Sequence, residues 1–197
     1  IYAIAIGVLN RLKLIPLALA DALFPEVAGR SDEEGAALAA RATRHGLLGV
    51  SLVAVGIAVL APVLVPLAFG ETYRSAVPVL WILTPGMVML AVFLLLGRYF
   101  MAINRQQISI SIQAFALALN VGLNLFLIPR HGITGAAIAS LISYGIEFVV
   151  MATSFVVSTR QPLSECLVFK RSDADFYVSR IRQLRSRLKN RNESENG

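Results

Sequence analysis

The chain has 197 residues, of which 56% are hydrophobic and 15% charged, with a formal net charge of +6 and one cysteine, Cys166. A soluble domain carries about 25% charged residues, so this composition excludes a water-soluble core, and a lone cysteine excludes a disulfide scaffold. The apolar surplus lies in four runs, 46–70, 75–97, 106–129 and 132–159. Each exceeds the roughly 20 residues that cross a ~30 Å hydrocarbon layer. The first three hold no Asp, Glu, Lys or Arg, and the fourth holds only Glu147. The fold class is therefore all-α, a polytopic transmembrane helix bundle, and both a soluble enzyme and a nucleic-acid-binding domain are disfavoured.

In chain order, the first segment, 1–25, opens on Ile1 within an apolar run, without a charged leader region or a cleavage site. It reads as the start of the C-terminal part of a longer transporter-like chain, whose N-terminal portion would be missing here. Arg11 and Lys13 sit near its middle, and Pro16 removes a donor that a helix interior uses. Two readings are open. The cations snorkel to a membrane boundary, or a broken helix turns a cationic face to an aqueous cavity. Next, Ser31-Asp32-Glu33-Glu34 forms a capping-box pattern that predicts an interfacial helix over 36–44, leading into the span after Gly46. Pro62 and Pro66 fall in that span, and Pro85-Gly86 in the next. Each proline frees a backbone carbonyl that a neighbour or cavity water has to satisfy.

In the 106–129 run, Asn120 and Asn124 lie at i, i+4, and Gln113 two turns earlier extends their face. Carboxamides facing lipid would leave hydrogen-bonding groups unmet, so this face belongs against other helices or in a cavity. Gly132, Ala136 and Ser140 recur every four residues and predict a smooth ridge for close helix packing. Glu147 lies near the middle of the last span, where an ionised acid is costly. It would carry a proton or ion in coupled transport, or pair with a cation such as Arg11, Lys13 or Arg98.

Beyond Thr159 no run is long enough to cross a bilayer. Residues 159–197 form a basic tail with 9 Lys/Arg against 5 Asp/Glu. Within it a helix over about 172–190 carries an apolar stripe flanked by arginines, suited to lying on anionic inner-leaflet lipids. The bundle then spans 1–158. With the tail cytoplasmic, the connections near 29–45 and 98–105 fall on the same side, and, leaving out Arg11 and Lys13 within the first segment, the positive-inside bias is 14 cations against 2, those two being Arg74 and Arg130. The protein is expected in the cytoplasmic membrane, multi-pass, with its C-terminus cytoplasmic. No enzymatic motif is present. His45 and His131 fall in loops on opposite sides and cannot share a metal, so neither a metal site nor a cofactor is implied.

Asn120, Asn124, Ile128-Pro129, Gly132, Gly135-Ala136-Ala137 and Ala139 closely resemble a signature of polysaccharide-export membrane proteins. These are oligosaccharide flippases of the multidrug/oligosaccharidyl-lipid/polysaccharide exporter superfamily. Ile15-Pro16 through Phe24-Pro25, and Leu67 through Tyr73, agree with it, so the resemblance covers residues 1–158 and omits the tail. It implies two pseudo-symmetric six-helix lobes around a central cavity, this chain supplying about five helices of the second. It also implies translocation of an undecaprenyl-pyrophosphate-linked glycan to the outer leaflet by alternating access. On that reading Arg11 and Lys13 attract the pyrophosphate, Asn120 and Asn124 contact the substrate, and Glu147 couples transport to a proton or ion. Many relatives have fourteen helices, whereas this chain stops after the equivalent of the twelfth. The competing readings are a multidrug cation antiporter of the same superfamily and a membrane scaffold for glycan assembly that moves nothing.

Overall fold

The computed structural model describes Gly7 and residues 10–168, and the statements below concern those residues. The chain divides into two compact units, residues 1–167 and 168–197. Only Val168 of the second is described, so the expected tail helix at 172–190 lies outside the described residues. The first unit continues past the expected boundary at 158 by way of a short final helix.

That unit is built from five helices: α1 (Leu14–Ala28), α2 (Asp32–Phe69), α3 (Ala76–Ala102), α4 (Gln106–Thr159) and the one-turn α5 (Ser164–Leu167). A 3-10 turn, Glu71–Tyr73, separates α2 from α3. α2, α3 and α4 are each long and apolar enough to cross a membrane. α4 crosses twice. Its 54 residues would extend about 80 Å if straight, but at Gly132 the backbone takes φ 55° and ψ −133°, a region open to glycine alone. The chain doubles back there, so that Asn120 of the first arm bonds Ser143 of the second. A Cβ placed on Gly135 would collide with the Leu127 carbonyl. Gly132 is therefore the hinge of a helical hairpin and not, as its spacing implied, the first residue of a packing ridge. Ala136 and Ser140 are buried as expected, and Gly135 makes the close approach.

α3 is the centre of the bundle. Leu80, Leu83, Leu95, Leu96 and Phe100 have less than 2% of their surface exposed, and α1, α2 and α4 all pack on this helix. Glycines let those neighbours come close. A Cβ on Gly46 of α2 would lie 2.6 Å from Leu95, and one on Gly86 of α3 would lie 3.0 Å from Tyr144 of α4. Outside this core, Leu52, Val55, Val59, Val63 and Leu67 of α2 and Phe115, Val121 and Leu125 of α4 are exposed, as apolar faces of a bundle solvated by hydrocarbon are.

α2 has two parts in one helix. Its charged first turns, Asp32 to Arg44, run without interruption into the uncharged stretch after Gly46, so the expected interfacial helix is the start of a 38-residue rod. Ser31 is at the N-cap position but its side chain makes no capping hydrogen bond. The acids Asp32, Glu33 and Glu34 in the first turn still complement the helix dipole. His45 lies within this helix and His131 at the end of the first arm of α4, neither in a loop.

Two prolines each free a backbone carbonyl. Pro62 cannot donate to Ala58, and the freed Ala58 carbonyl accepts a 2.9 Å hydrogen bond from Trp81 Nε1 of α3. Pro16 acts similarly on the first segment. It leaves the Leu12 carbonyl without its helical partner, so the hydrogen-bond ladder misses a rung before α1 while the backbone at Lys13 stays helical at φ −64° and ψ −22°.

Four helix ends then gather into one layer. α3 ends in a Schellman motif with Asn104 left-handed at φ 58°, Arg105 N–H bonding Phe100 O at 2.7 Å and Asn104 N–H bonding Met101 O at 3.2 Å. Asp32, Ile103, Arg105 and Thr159 line one pocket there, so the start of α2, the end of α3 and both ends of α4 lie on the same side of the bundle. α5 is tied to this layer. Buried Arg44 of α2 donates to the Glu165 carbonyl at 2.7 Å and pairs with its carboxylate at 3.6 Å.

Candidate functional site

Polar side chains inside an apolar bundle are expensive, so their positions mark where chemistry is possible. Ser140, Ser143, Tyr144 and Glu147 follow one another at helical spacing on the second arm of α4. Ser140, Ser143 and Glu147 are buried, and Glu147 is only 6% exposed. Its Oε2 has no hydrogen-bond partner among the described residues. Lys13, half-buried just before α1, lies within electrostatic reach of Glu147. Its Nζ stands 6.0 Å from the centre of the Tyr144 ring, the outer limit of a cation–π contact. The two groups form no contact ion pair, so the Glu147 carboxyl and the Lys13 amine stand near each other across a gap.

A hydrogen-bonded relay borders this cluster. Asn124 Nδ2 donates to Asn120 Oδ1 at 2.8 Å and to the Asn120 carbonyl at 2.9 Å. Asn120 Nδ2 donates to Ser143 Oγ at 3.2 Å, and Ser143 donates to the Ala139 carbonyl at 2.9 Å. Both asparagines line a groove of about 490 Å³ along the hairpin, with Ile128, Gly132 and Ser140 among its other walls.

The structure therefore brings Lys13 within electrostatic reach of Glu147 and bonds Asn124 to Asn120. Arg11 is exposed and Gln113, expected on the asparagine face, is exposed as well. Arg98, one of the candidate partners for Glu147, pairs instead with Asp21 of α1 at 2.8 Å. Ser143 and Tyr144 were missed by the sequence reading. The signal was present, since both share a helical face with Glu147, but hydroxyls are too common in membrane helices to stand out alone.

Cys166 is fully buried, and desolvation, partly opposed by Arg44, pushes its thiol up to about 11. The reactive thiolate is scarce at neutral pH. On the opposite side, the 3-10 turn carries an exposed pair in which Arg74 Nε donates to Glu71 at 2.8 Å. That hydrogen bond holds the Glu71 carboxyl below its usual range. Among the described residues no group of three or more His, Cys, Asp or Glu side chains is arranged to hold a metal ion.

Fold and site together define a multi-pass helical membrane protein with a polar strip buried at membrane depth. Residues 2–171 match the family of the lipid II flippase MurJ, and the chain belongs to that family, one of transporters rather than catalysts. It is similar to a probable low-salt glycan biosynthesis flippase, Agl15, of Haloferax volcanii, at 28% identity over 150 residues, 73% of this chain and 32% of the relative. It is also similar to an uncharacterized membrane protein, MJ1068, of Methanocaldococcus jannaschii, at 30% identity over 105 residues, 53% of this chain and 21% of the relative. The chain thus spans about a third of the first relative and a fifth of the second. No solved structure matches it at a significant level. The resemblance to oligosaccharide flippases read from residues 120–139 agrees with these matches.

Proposed function

We propose that this chain forms part of a flippase that moves a lipid-linked oligosaccharide or polysaccharide precursor across the cytoplasmic membrane by alternating access. The observation that carries the reading is a polar strip, half-buried Asn120 with buried Ser143 and Glu147 and Lys13 beside them, inside the bundle of a chain from a flippase family. A pyrophosphate needs cations and a sugar needs hydrogen-bonding groups, while a lipid tail can stay in the hydrocarbon. Arg11 and Lys13 supply the charge. Asn124 Oδ1, which has no hydrogen bond among the described residues, is an acceptor for a sugar hydroxyl in the groove. The substrate is an undecaprenyl-pyrophosphate-linked glycan.

Glu147 couples the cycle. A carboxylate separated from its ammonium partner by a gap can take up a proton or a small cation, and either would alter the attraction that links the first segment to the hairpin. The first segment, which carries Lys13, is the element that attraction would move. The C-terminus is cytoplasmic, and the basic tail associates with anionic inner-leaflet lipids. No observation favours the drug-antiporter or scaffold readings.

Complementation of a glycan-export-deficient strain by the full-length protein tests this. Arg11→Gln with Lys13→Gln should abolish export while protein abundance stays normal, because an anionic group in poorly solvated surroundings depends strongly on its counter-charges. Arg11→Lys should retain part of the activity, keeping charge but losing the bidentate fork. Normal export by the double variant at normal abundance would remove the cationic site.

A further inference from the structure

A second polar pocket, of about 240 Å³, opens where the start of α2, the end of α3 and both ends of α4 meet. Its charges are arranged by sign. Asp32 and Glu33 come from the first turn of α2, and Arg105 from the Schellman end of α3, with Ile103, Ser158 and Thr159 completing the wall. Arg105 forms no ion pair with Asp32 or Glu33, although all three line one small pocket. All three side chains are exposed, and surface charges gain little from pairing with one another, so each stays available to a ligand.

The floor is independent of the charges. Tyr99 is 3% exposed, and its ring is fixed edge-on against Phe100 at 5.5 Å and Phe155 at 5.1 Å. Its hydroxyl has no hydrogen bond among the described residues, and the side chain lines the pocket. Both Asp32 and Arg105 lie within its electrostatic reach. The ring is buried while the hydroxyl opens on the pocket, which leaves a donor available to a ligand between a negative and a positive wall.

The depth of the pocket narrows the ligand. Uncharged runs end at Gly97 and Thr159 and begin at Gln106, which puts Tyr99, Arg105 and Thr159 at the boundary between hydrocarbon and headgroups, where tyrosine is favoured. We propose that the pocket binds the phosphoethanolamine headgroup of a membrane lipid. Arg105 and the Tyr99 hydroxyl donate to the phosphate, and Asp32 and Glu33 accept from the primary ammonium. A trimethylammonium has no N–H to give the carboxylates, and an anionic glycerol headgroup would meet them with no cation of its own. The pocket therefore selects phosphatidylethanolamine over phosphatidylcholine and phosphatidylglycerol.

Native mass spectrometry of the full chain, released from nanodiscs of equal parts of the three lipids, reads this selection. Phosphatidylethanolamine should be retained about tenfold over the other two, in line with charge-assisted hydrogen bonds. Retention should fall by a similar factor in Arg105→Gln and in Asp32→Asn/Glu33→Gln. Tyr99→Phe should weaken it as well while preserving the ring packing, so a loss there is not a folding defect. Soluble glycerophosphoethanolamine distinguishes the sources. Displacement of the lipid assigns the site to the headgroup alone, and no displacement assigns it to the headgroup carried on a lipid. Equal retention of all three lipids, or selection unchanged in the variants, would overturn the proposal, and neither result bears on glycan export.

Discussion

Trp81 shows how one residue repairs a defect that another creates. Pro62 within α2 leaves the Ala58 carbonyl without its helical donor, and in hydrocarbon no water is at hand to replace it. The indole N–H of Trp81 takes that place at 2.9 Å. This bond is worth about 1 kcal/mol by the usual scale for protein hydrogen bonds. Trp81→Phe should therefore destabilise the protein by about that amount. In a Pro62→Ala background, where residue 62 again donates to Ala58, the hydrogen-bond part of the loss should disappear. A double-mutant cycle of thermal stability in detergent measures the coupling, and strictly additive effects would show that Trp81 acts through packing alone. Glu147 poses the opposite case, a polar group that the surrounding residues leave incompletely satisfied. That difference separates a repaired residue from one available for function.

At the scale of elements, the hairpin of α4 carries most of the design. Two features make it possible, the glycine-only backbone at Gly132 and the close approach at Gly135. Between them they bring Asn120 to Ser143 and create the groove. Gly135→Ala would push a methyl group into the Leu127 carbonyl, and backbone can relieve that contact only by moving. Overpacking of this kind costs about 1–3 kcal/mol, so the variant should unfold at a markedly lower temperature. Gly122→Ala is the matched control. It lies on the first arm, a Cβ there meets nothing within 4 Å, and exchanging glycine for alanine within a helix gains roughly 0.5–1 kcal/mol. Opposite signs for the two substitutions are expected in the same thermal assay. Equal effects would mean that the arms are not packed as described.

For the whole molecule, the arrangement of helix ends constrains topology more tightly than charge counting does. Asp32, Arg105 and Thr159 share one pocket, while Glu71 and His131 sit at helix ends one crossing away. In a Cys166→Ser background, Glu71→Cys and His131→Cys should react with a membrane-impermeant maleimide on intact cells. Arg30→Cys and Arg105→Cys should react only after permeabilisation, given the preference of Lys and Arg for the cytoplasmic side. A fully reversed pattern would invert the orientation and leave the bundle intact. A mixed pattern within either pair would contradict the bundle itself.

The long apolar runs determined by themselves that the chain crosses a membrane as helices, because backbone groups in hydrocarbon have no other means of satisfaction. Prolines announced freed carbonyls, and the 120–139 pattern led to the family, since those signals are local or are carried by residue identity. The tertiary structure decided the rest. Sequence spacing placed Gly132 on a ridge, and only the backbone dihedrals reveal a hinge, because a glycine at helical spacing looks the same in either role. Spacing could not choose among Arg11, Lys13 and Arg98 as the cation near Glu147. Their separations along the chain exceed 45 residues in every case, so the choice rests on how α1 and α3 pack. Arg98 is taken by Asp21, and Lys13 lies within electrostatic reach of the acid. A partner across a helix interface is set by the geometry of three elements at once, and a linear pattern carries no record of it.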